Sequence, residues 1–407
     1  MATPVTAARA SGHPALQGGR SGSSTRPVRW IAGNGLHNLL VLLDLPRRLP
    51  LPAVGLGVVA ILASSSFLFA SPGLAGIVLA LVGAGDLALL LALPRLRISF
   101  GPVAPAWTLF TVGRALVSVL VCLPPFGAGV QTALLALLQL GLSAAAFWGA
   151  VVEPLRLEET RLTLRLAGLD GSLRLLLLSD LHLERTTRRE ERVLEAAGRE
   201  RPDLILVAGD LLNLSFLYDD QAVADARCFL ARLAACCPPG RLLLVRGTGA
   251  VDAADLVERT LDGLPVRALE GESLRVSVGR ANLQVLGLPA DRPHDELRRW
   301  LRALAETAPP GPRLCLHHTP DLAPEAARLG VDLYLAGHTH GGQICLPGLG
   351  PLATASRFGR RYYRGYHRLG PTQIYVSRGL GMEGLGAPRM RFLSRPELVW
   401  LSLDPPR

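Results

Sequence analysis

The chain has 407 residues, of which 49% are hydrophobic and 19% charged, which is apolar for a soluble protein of this length. Its net charge is +10, but all 43 basic residues are arginine and they are scattered among 33 acidic residues. This mixture argues against a nucleic-acid-binding patch, so no nucleic acid is expected as a partner, and it suits an anionic membrane surface. The six cysteines show no repeated spacing, which argues against a disulfide framework or a zinc ribbon.

The first part of the chain is basic and then becomes apolar. Residues 1–30 are rich in Gly, Ser and Pro and contain four arginines but no acidic residue, so we expect a disordered basic tail there. The next stretch, 31–44, is too short for a membrane span and has the length of a helix at the membrane interface.

Four later runs are long and apolar enough to cross a bilayer, which takes about 20 residues. They cover approximately 51–71, 73–94, 103–124 and 129–152. We therefore interpret 31–154 as an α-helical transmembrane region of about four spans. Arginines lie before the first span, between the second and third spans, and after the fourth. The positive-inside rule therefore places both termini and everything after residue 155 in the cytoplasm. The expected location is the cell membrane, as a multi-pass protein.

Two of these predicted spans contain a charged residue, Asp86 in the second and Arg114 in the third. Counted from the loop that the two spans share, both residues lie at similar depth, so they can pair across the helices. A helix-packing ion pair is one interpretation. A proton or substrate path, as in a small transporter with a regulatory domain, is the other.

From about residue 160, short apolar strands alternate with amphipathic helices. The pattern predicts helices at 185–200 and 294–306, and strands at 174–180, 203–210, 241–247, 283–288, 313–318 and 331–338. This alternation is typical of a layered α/β domain, in which ligand sites lie at the carboxyl ends of strands. We expect this domain to cover 155–407.

Four of the six predicted strands end at residue types that bind metals. These ends are Asp180-Leu181-His182, Gly209-Asp210, His317-His318 and His338-Thr339-His340. Carboxylates and imidazoles that converge at one sheet edge form a site for a divalent ion such as Zn, Mn or Fe. A single D-x-H or H-x-H arises often by chance, but the ordered set is a strong signal.

In their order along the chain, the motifs SDLHL, AGDLLN, HHTPD and GHTHGGQI resemble those of the calcineurin-like metallophosphoesterase superfamily. They look most like its membrane-associated YkuE-like branch, to which the segment 374–403 is also similar. The resemblance covers about 170–405. It implies that a metallophosphoesterase domain, a four-layer α/β/β/α sandwich, follows the transmembrane region.

Six residues match the family's metal ligands position by position. The resemblance implies that Asp180, His182 and His340 bind a first ion, that His318 and His338 bind a second, and that Asp210 bridges the two. Two divalent ions (Mn, Zn or Fe) so placed would hold a bridging hydroxide that attacks phosphorus in line, with Asp210 as the catalytic residue. His317 falls outside the pattern and is expected to pack or to form a hydrogen bond.

The sequence departs from the family pattern after the third strand, where the family carries Gly-Asn-His followed by Asp or Glu. This chain has Gly247-Thr248-Gly249-Ala250, so it lacks both the Asn that binds the second metal and the His that acts as general acid or transition-state stabiliser. Losing a general acid typically slows a reaction by about 10²–10⁴-fold. Three options remain: a hydrolase that is slow or restricted to good leaving groups, a hydrolase whose acid comes from elsewhere, and a non-catalytic protein.

A basic and aromatic segment, 356–369, combines five arginines with three tyrosines. It is either a surface for lipid headgroups or substrate phosphate, or a solvated loop.

The favoured hypothesis is a membrane-anchored, metal-dependent phosphoric ester hydrolase. It would hydrolyse a phosphodiester or pyrophosphate bond in a phosphorylated small-molecule or lipid-linked substrate, and membrane lipids would be its partners. Anchoring raises the local concentration of an amphiphilic substrate. The alternative is a pseudoenzyme, a metal- or phosphate-binding membrane protein, because Thr248-Gly249 replaces the family's Asn-His.

Overall fold

The computed structural model describes residues 35–406, so the predicted basic tail over 1–30 lies outside the described residues. Five apolar helices come first: α1 Gly35–Leu43, α2 Leu51–Ser66, α3 Pro72–Arg95, α4 Val103–Cys122 and α5 Ala128–Phe147. A π-helical turn, Trp148–Val152, and a 3₁₀ turn, Glu153–Leu155, continue α5. The first strand begins at Glu158, so the change from helices to strands falls close to residue 155.

Three helical segments are long and apolar enough to cross a bilayer: α3, α4 and the segment from Ala128 to Leu155. The prediction of a span over 51–71 was wrong about where the helix ends, because α2 ends at Ser66. At 1.5 Å per residue, α2 is only about 24 Å long. Its last two serines bond back to carbonyls of the preceding turn, as helical serines commonly do. The helices over 38–48 and 51–66 meet at 108°, so together they form at most one broken span, which gives three or four spans.

Helices α2 to α5 pack together around a small apolar core that includes Leu62, Leu79 and Leu135. Their outer surface is apolar as well, and large side chains such as Leu56 and Leu120 are mostly exposed. A helix bundle that is apolar inside and outside requires a non-aqueous surrounding. The helical region is therefore suited to association with a membrane.

The predicted pairing of Asp86 with Arg114 is present in the core of this bundle. Two guanidinium nitrogens of Arg114 donate to the two carboxylate oxygens of Asp86, each at 2.6 Å. The guanidinium also donates to Gln139 Oε1 and Ser143 Oγ, both at 2.9 Å. Because both charged groups are fully partnered by the protein, this geometry favours the helix-packing interpretation.

Strands and helices alternate in the second region. The strands are β1 Glu158–Arg165, β2 Leu173–Leu178, β3 Leu204–Ala208, β4 Leu242–Val245, β5 Arg267–Ala268, β6 Glu272–Val278, β7 Ala281–Leu288, β8 Arg313–His317, β9 Leu333–Ala336, β10 Cys345–Leu346, β11 Gly350–Pro351, β12 Gly365–Leu369, β13 Thr372–Val376 and β14 Glu397–Asp404. The helices are α6 Arg188–Glu200, α7 Asp220–Ala234, α8 Ala254–Leu261, α9 His294–Thr307 and α10 Ala323–Arg328.

These elements form the predicted four layers. One sheet has the order β1-β14-β2-β3-β4-β5 and the other β12-β13-β9-β8-β7-β6, while β10 and β11 form a separate hairpin. Apolar side chains such as Leu177 and Val285 fill the space between the sheets. Helices α6 to α8 cover the outer face of the first sheet, and α9 and α10 cover that of the second.

The predicted strands extend too far at their carboxyl ends. β2 ends at Leu178, β3 at Ala208 and β9 at Ala336, so the polar residues predicted to end these strands lie in the loops beyond them. In both sheets the central strands run parallel, which brings these loops to one edge of each sheet.

Candidate metal centre

The loops that follow β2, β3, β8 and β9 meet at one edge of the sandwich. All six predicted ligands lie there, in two groups. Within each group, the ligand atoms lie within 4.8 Å of one another. The first group is Asp180, His182 and His340, and the second is Asp210, His318 and His338. These are the two sets implied by the family resemblance. Whether they bind metal stays a prediction, but the fold brings all of them together.

Asp210 lies between the two groups. Its Oδ2 is 3.3 Å from His318 Nε2 in its own group and 3.5 Å from His182 Nε2 in the other. A carboxylate within reach of both histidines has the position required of a ligand shared by two ions.

In the second group, backbone carbonyls determine which ring nitrogen faces the site. His318 Nδ1 donates to Ala208 O at 2.7 Å, and His338 Nε2 donates to Ala355 O at 3.0 Å. The other nitrogens, His318 Nε2 and His338 Nδ1, then face each other at 3.0 Å. A metal-binding histidine commonly donates its second N–H in this way, since the bond orients the ring.

The first group repeats this arrangement of facing rings. His182 Nε2 and His340 Nε2 are 3.1 Å apart, and the two rings stack. His340 Nδ1 is buried without a hydrogen-bond partner in the part of the chain that the structure describes. The protein alone therefore leaves polar atoms of this group unsatisfied, as expected where another species is to be bound.

The distances fit divalent ions bound to histidine. Two nitrogens at about 2.0–2.1 Å from one ion are about 2.9 Å apart at a right angle and about 3.3 Å apart at a tetrahedral angle. The observed separations of 3.0 and 3.1 Å fall between these limits. The donor set of imidazoles and carboxylates suits Zn, Mn or Fe.

Most of these residues have an unusual backbone conformation. Five of the six have positive φ: Asp180 (50°), His182 (41°), Asp210 (57°), His338 (71°) and His340 (51°). Residues other than glycine rarely adopt this region, and each costs of order 1–3 kcal/mol. Strain that is concentrated on one set of side chains supports a functional role for that set.

Glycine permits the close approach of the loops. A Cβ on Gly337 would lie 2.5 Å from Asp180 Oδ2, and a Cβ on Gly209 would lie 2.5 Å from Gly247 Cα. Any side chain at these two positions would separate the loops that carry the predicted ligands.

The carboxylates make the centre attract positive charge. Burial lowers the pKa of His318, but Asp210 outweighs burial and raises it to about 10. Burial raises the pKa of Asp210, but His318 and His182 outweigh it and hold that pKa below its usual range. For His340, burial dominates and lowers the pKa to about 3. The carboxylates thus favour positive charge in the centre, which a bound cation can supply.

Sequence reasoning missed Glu383, which lies in the loop after β13. Its Oε2 is 3.1 Å from His182 Nδ1, and its oxygens also accept the amides of Leu214, Gly384 and Leu385. Burial raises the pKa of Glu383, but His182 outweighs it, and the net effect lowers the pKa to about 2. A carboxylate behind a metal-binding imidazole orients the ring and makes it a stronger ligand. The available signal was a lone acidic residue in a glycine-rich segment.

Asp252 was missed as well. It accepts the amides of Asp210, Leu211 and Gly247 at 2.7–2.9 Å and so joins the loops after β3 and β4. Burial and the neighbouring charge of Asp210 raise the pKa of Asp252 to about 6. Asp252 lies outside both ligand groups, and we assign it a role in holding Asp210 in place.

The residues that depart from the family pattern lie at the edge of the second group. Thr248 Oγ1 is 3.4 Å from His318 Nε2 and 3.5 Å from Asp210 Oδ2. A Cβ on Gly249 would be 3.0 Å from Asp291 Cβ, so a larger residue there would displace Asp291. His317 behaves as expected of a packed residue, since its Nδ1 bonds Leu288 O at 3.0 Å.

Comparisons with known proteins agree with this architecture. The model of the calcineurin-like phosphoesterase family matches residues 173–342. The chain is 32% identical over 268 residues to the uncharacterized metallophosphoesterase YkuE of Bacillus subtilis, covering 62% of this chain and 87% of that protein.

Two other relatives are informative. The phosphodiesterase YaeI of Escherichia coli is 29% identical over 243 residues, covering 56% of this chain and 82% of that protein. A bovine transmembrane protein with metallophosphoesterase domain is 27% identical over 252 residues, covering 58% and 53%. From the family match and the similarity to YkuE, we conclude that this chain belongs to the calcineurin-like metallophosphoesterases.

Proposed function

We propose that this chain is a membrane-anchored, metal-dependent phosphoesterase that hydrolyses a phosphodiester or pyrophosphate bond. One observation carries the proposal: two groups of His and Asp side chains, each with facing ring nitrogens 3.0 or 3.1 Å apart, meet at Asp210, which belongs to one group and reaches His182 of the other. Carboxylates and imidazoles crowded in this way are stable together when cations lie among them.

Each residue then has a role that follows from its contacts. Bound divalent ions would supply a nucleophile from water and neutralise charge on the phosphoryl oxygens. Asp210 would hold the two ions together, since its Oδ2 reaches histidines of both groups. Glu383 orients His182, and Asp252 orients Asp210. Thr248 presents a hydroxyl where the family has the amide of Asn.

The missing His restricts the substrate. Gly249 offers no side chain to protonate a leaving group, and general acids typically contribute about 10²–10⁴-fold to a rate. The phosphate released from a pyrophosphate bond, or another leaving group of low pKa, departs without protonation by a general acid. An alkoxide does not. We therefore propose a substrate with a good leaving group.

Contacts with the helical region favour a lipid-linked substrate. Glu184, two residues after His182, accepts the amide of Phe100 in the loop between α3 and α4 at 2.6 Å. Arg97 in the same loop donates to Thr186 O at 3.0 Å. The loop that carries His182 therefore rests on a connection between membrane-spanning segments, which we place in the cytoplasm because it contains arginines. A substrate held in the bilayer would be near the centre.

The test is hydrolysis of an activated aryl phosphodiester by the purified full chain in Mn²⁺. The full chain is needed because the centre's loops contact the helical region. Asp210→Asn should reduce turnover by about 10³-fold, since the bridging ligand supports several kcal/mol of metal-dependent stabilisation. Asp170→Asn, at an exposed loop position, is the matched control and should leave turnover unchanged.

Lipid-linked pyrophosphates would then be compared with soluble analogues, and preference for the lipid-linked form would support the substrate class. The second candidate function is a non-catalytic metal- or phosphate-binding protein, which the absence of the His at Gly249 favours. Metal binding without turnover on any of these substrates would select it and would contradict the proposed hydrolase.

A further inference from the structure

Exposed leucines of the metallophosphoesterase domain are concentrated in one area. Leu349 and Leu352 are 62% and 64% exposed, and Leu346 and Leu393 are 36% and 48% exposed. Elsewhere in residues 158–406 of the described chain, the exposed large apolar side chains are Tyr218 and Tyr366. Four exposed leucines close together are unusual for a surface that faces water.

Backbone contacts make these leucines one surface. Three of them lie on or beside the β10-β11 hairpin, in which Leu346 pairs with Gly350. The hairpin is joined to the segment before Leu393, since Cys345 N donates to Phe392 O at 2.8 Å. We call these four leucines, together with Arg357, Arg360, Arg361 and Arg364, the leucine-arginine patch.

Arginines border the leucines and form the second half of the patch. Arg357, Arg360 and Arg361 are exposed, and Arg364 is half-buried. Arg360 bonds Pro351 O at 3.2 Å, and Arg364 bonds Leu393 O at 3.1 Å, so both lie against the segments that carry the leucines.

The surrounding sequence supplies little negative charge to these arginines. No Asp or Glu occurs between Asp332 and Glu383, a stretch that includes the whole hairpin and all the arginines of the patch. Asp321 approaches from another loop, where it accepts the Ser356 hydroxyl and the Arg357 amide. An apolar tip with a basic border complements the acyl chains and phosphates of an anionic lipid surface.

The patch is continuous with the end of the last helical span. Ser394, next to Leu393, donates its amide to Glu153 at 2.6 Å, and the same carboxylate accepts Trp148 Nε1 at 2.8 Å. The guanidinium of Arg156 lies over the Trp148 ring, 5.5 Å from its centre. Trp and Arg at the end of a span typically mark the headgroup layer, so Leu393 lies near that depth.

We propose that the leucine-arginine patch is a second membrane-docking surface: its leucines enter the headgroup-acyl boundary and its arginines bind the phosphates of anionic lipids. The inference rests on the membrane anchoring in the proposed function and adds to it a contact made by the metallophosphoesterase domain itself. Because the carbonyl of Ala355, three residues after Leu352, accepts a hydrogen bond from the His338 ring at 3.0 Å, docking would hold the metal centre beside the lipid phosphates.

Photo-cross-linking to lipid tests the proposal. A benzophenone amino acid replaces Leu349 in the full chain, which is reconstituted in vesicles of equal parts phosphatidylglycerol and phosphatidylcholine. The matched control carries the same group in place of Tyr218, which is exposed outside the patch. Mass spectrometry then counts lipid adducts.

We expect severalfold more lipid adducts at position 349 than at 218, and a decrease at 349 in pure phosphatidylcholine. The triple variant R357S/R360S/R361S should remove the difference between the two lipid mixtures. Equal adduct yields at 349 and 218, or adducts at 349 to a second protein chain instead of lipid, would overturn the proposal. Because the readout is a lipid adduct, neither result depends on whether the chain hydrolyses its substrate.

Discussion

Two buried clusters of charge, one in each region of the molecule, differ in how they are completed. In the helical region, Asp86 is paired through both oxygens with Arg114, and their side chains are 4% and 3% exposed. In the metallophosphoesterase domain, imidazoles face imidazoles at 3.0–3.1 Å, with carboxylates beside them. The first cluster is complete within the protein, whereas the second leaves ring nitrogens facing each other, as expected of a site for cations. This contrast separates a structural ion pair from a metal centre more clearly than burial does.

The largest stability effect should come from breaking the complete cluster. Arg114→Met leaves Asp86 buried and unpaired, and removal of one partner of a buried pair costs about 3–5 kcal/mol. We expect a much lower unfolding temperature in detergent, with metal-dependent hydrolysis per folded molecule unchanged.

The matched variant Asp86→Leu/Arg114→Met removes both charges and should recover most of that stability. If Arg114→Met left stability intact and abolished hydrolysis in membranes, the pair would be part of a proton or substrate path.

Glu383 is the next point at which to test the second cluster. Glu383→Gln removes the charge behind His182, and loss of such an outer carboxylate typically weakens metal binding by about 10–100-fold. We expect the first ion to bind more weakly in a Mn²⁺ titration of the full chain, with the second ion unaffected.

The control is Glu306→Gln, at an exposed position of α9. Weakening of both ions to the same extent would show a general structural effect and would contradict the role assigned to Glu383.

Restoring the family residues should have a smaller effect. In Thr248→Asn/Gly249→His, we expect about a tenfold gain on a substrate with an alkoxide leaving group, below the lower limit for a general acid. The gain is limited because the new Cβ at 249 would lie 3.0 Å from Asp291 Cβ. Rates on alkyl and activated aryl phosphodiesters measure this directly, and an unchanged alkyl rate would show that the wild-type chain already has another acid.

The smallest effect is expected for Asp180→Asn in the absence of metal. Removal of one carboxylate from a centre that lacks its cations relieves desolvation, so we expect the free energy of unfolding to change by less than about 1 kcal/mol. Mn²⁺ should stabilise the wild type by binding the folded state and should stabilise this variant much less. A large loss of metal-free stability would mean that Asp180, like Asp86, is already paired within the protein.

Local sequence patterns predicted much of this molecule. The apolar runs identified α3, α4 and α5, and the strand ends together with the family resemblance identified all six residues of the two groups. The six residues come together because short apolar strands in parallel sheets place their carboxyl ends at a common edge. The pairing of Asp86 with Arg114 was predictable because their depth is set by helix rise alone.

Other features depend on contacts between distant parts of the chain. Glu383 meets His182, and Asp252 meets Asp210, only after the sandwich has formed, so no spacing reveals them. The edge strand β1 alternates half-buried and exposed residues, with only Leu164 buried, and lacks the apolar run of a buried strand. The apolar run continues past Ser66, so hydrophobicity does not mark the end of α2.

The central claim is that the two groups hold two divalent ions, and the metal content of the full chain tests it most directly. After loading with Mn²⁺ and removal of free metal, we predict two ions per chain, with one lost in His182→Ala and the other in His338→Ala. Metal content that is below one ion per chain in the wild type, or unchanged in both variants, would contradict the account.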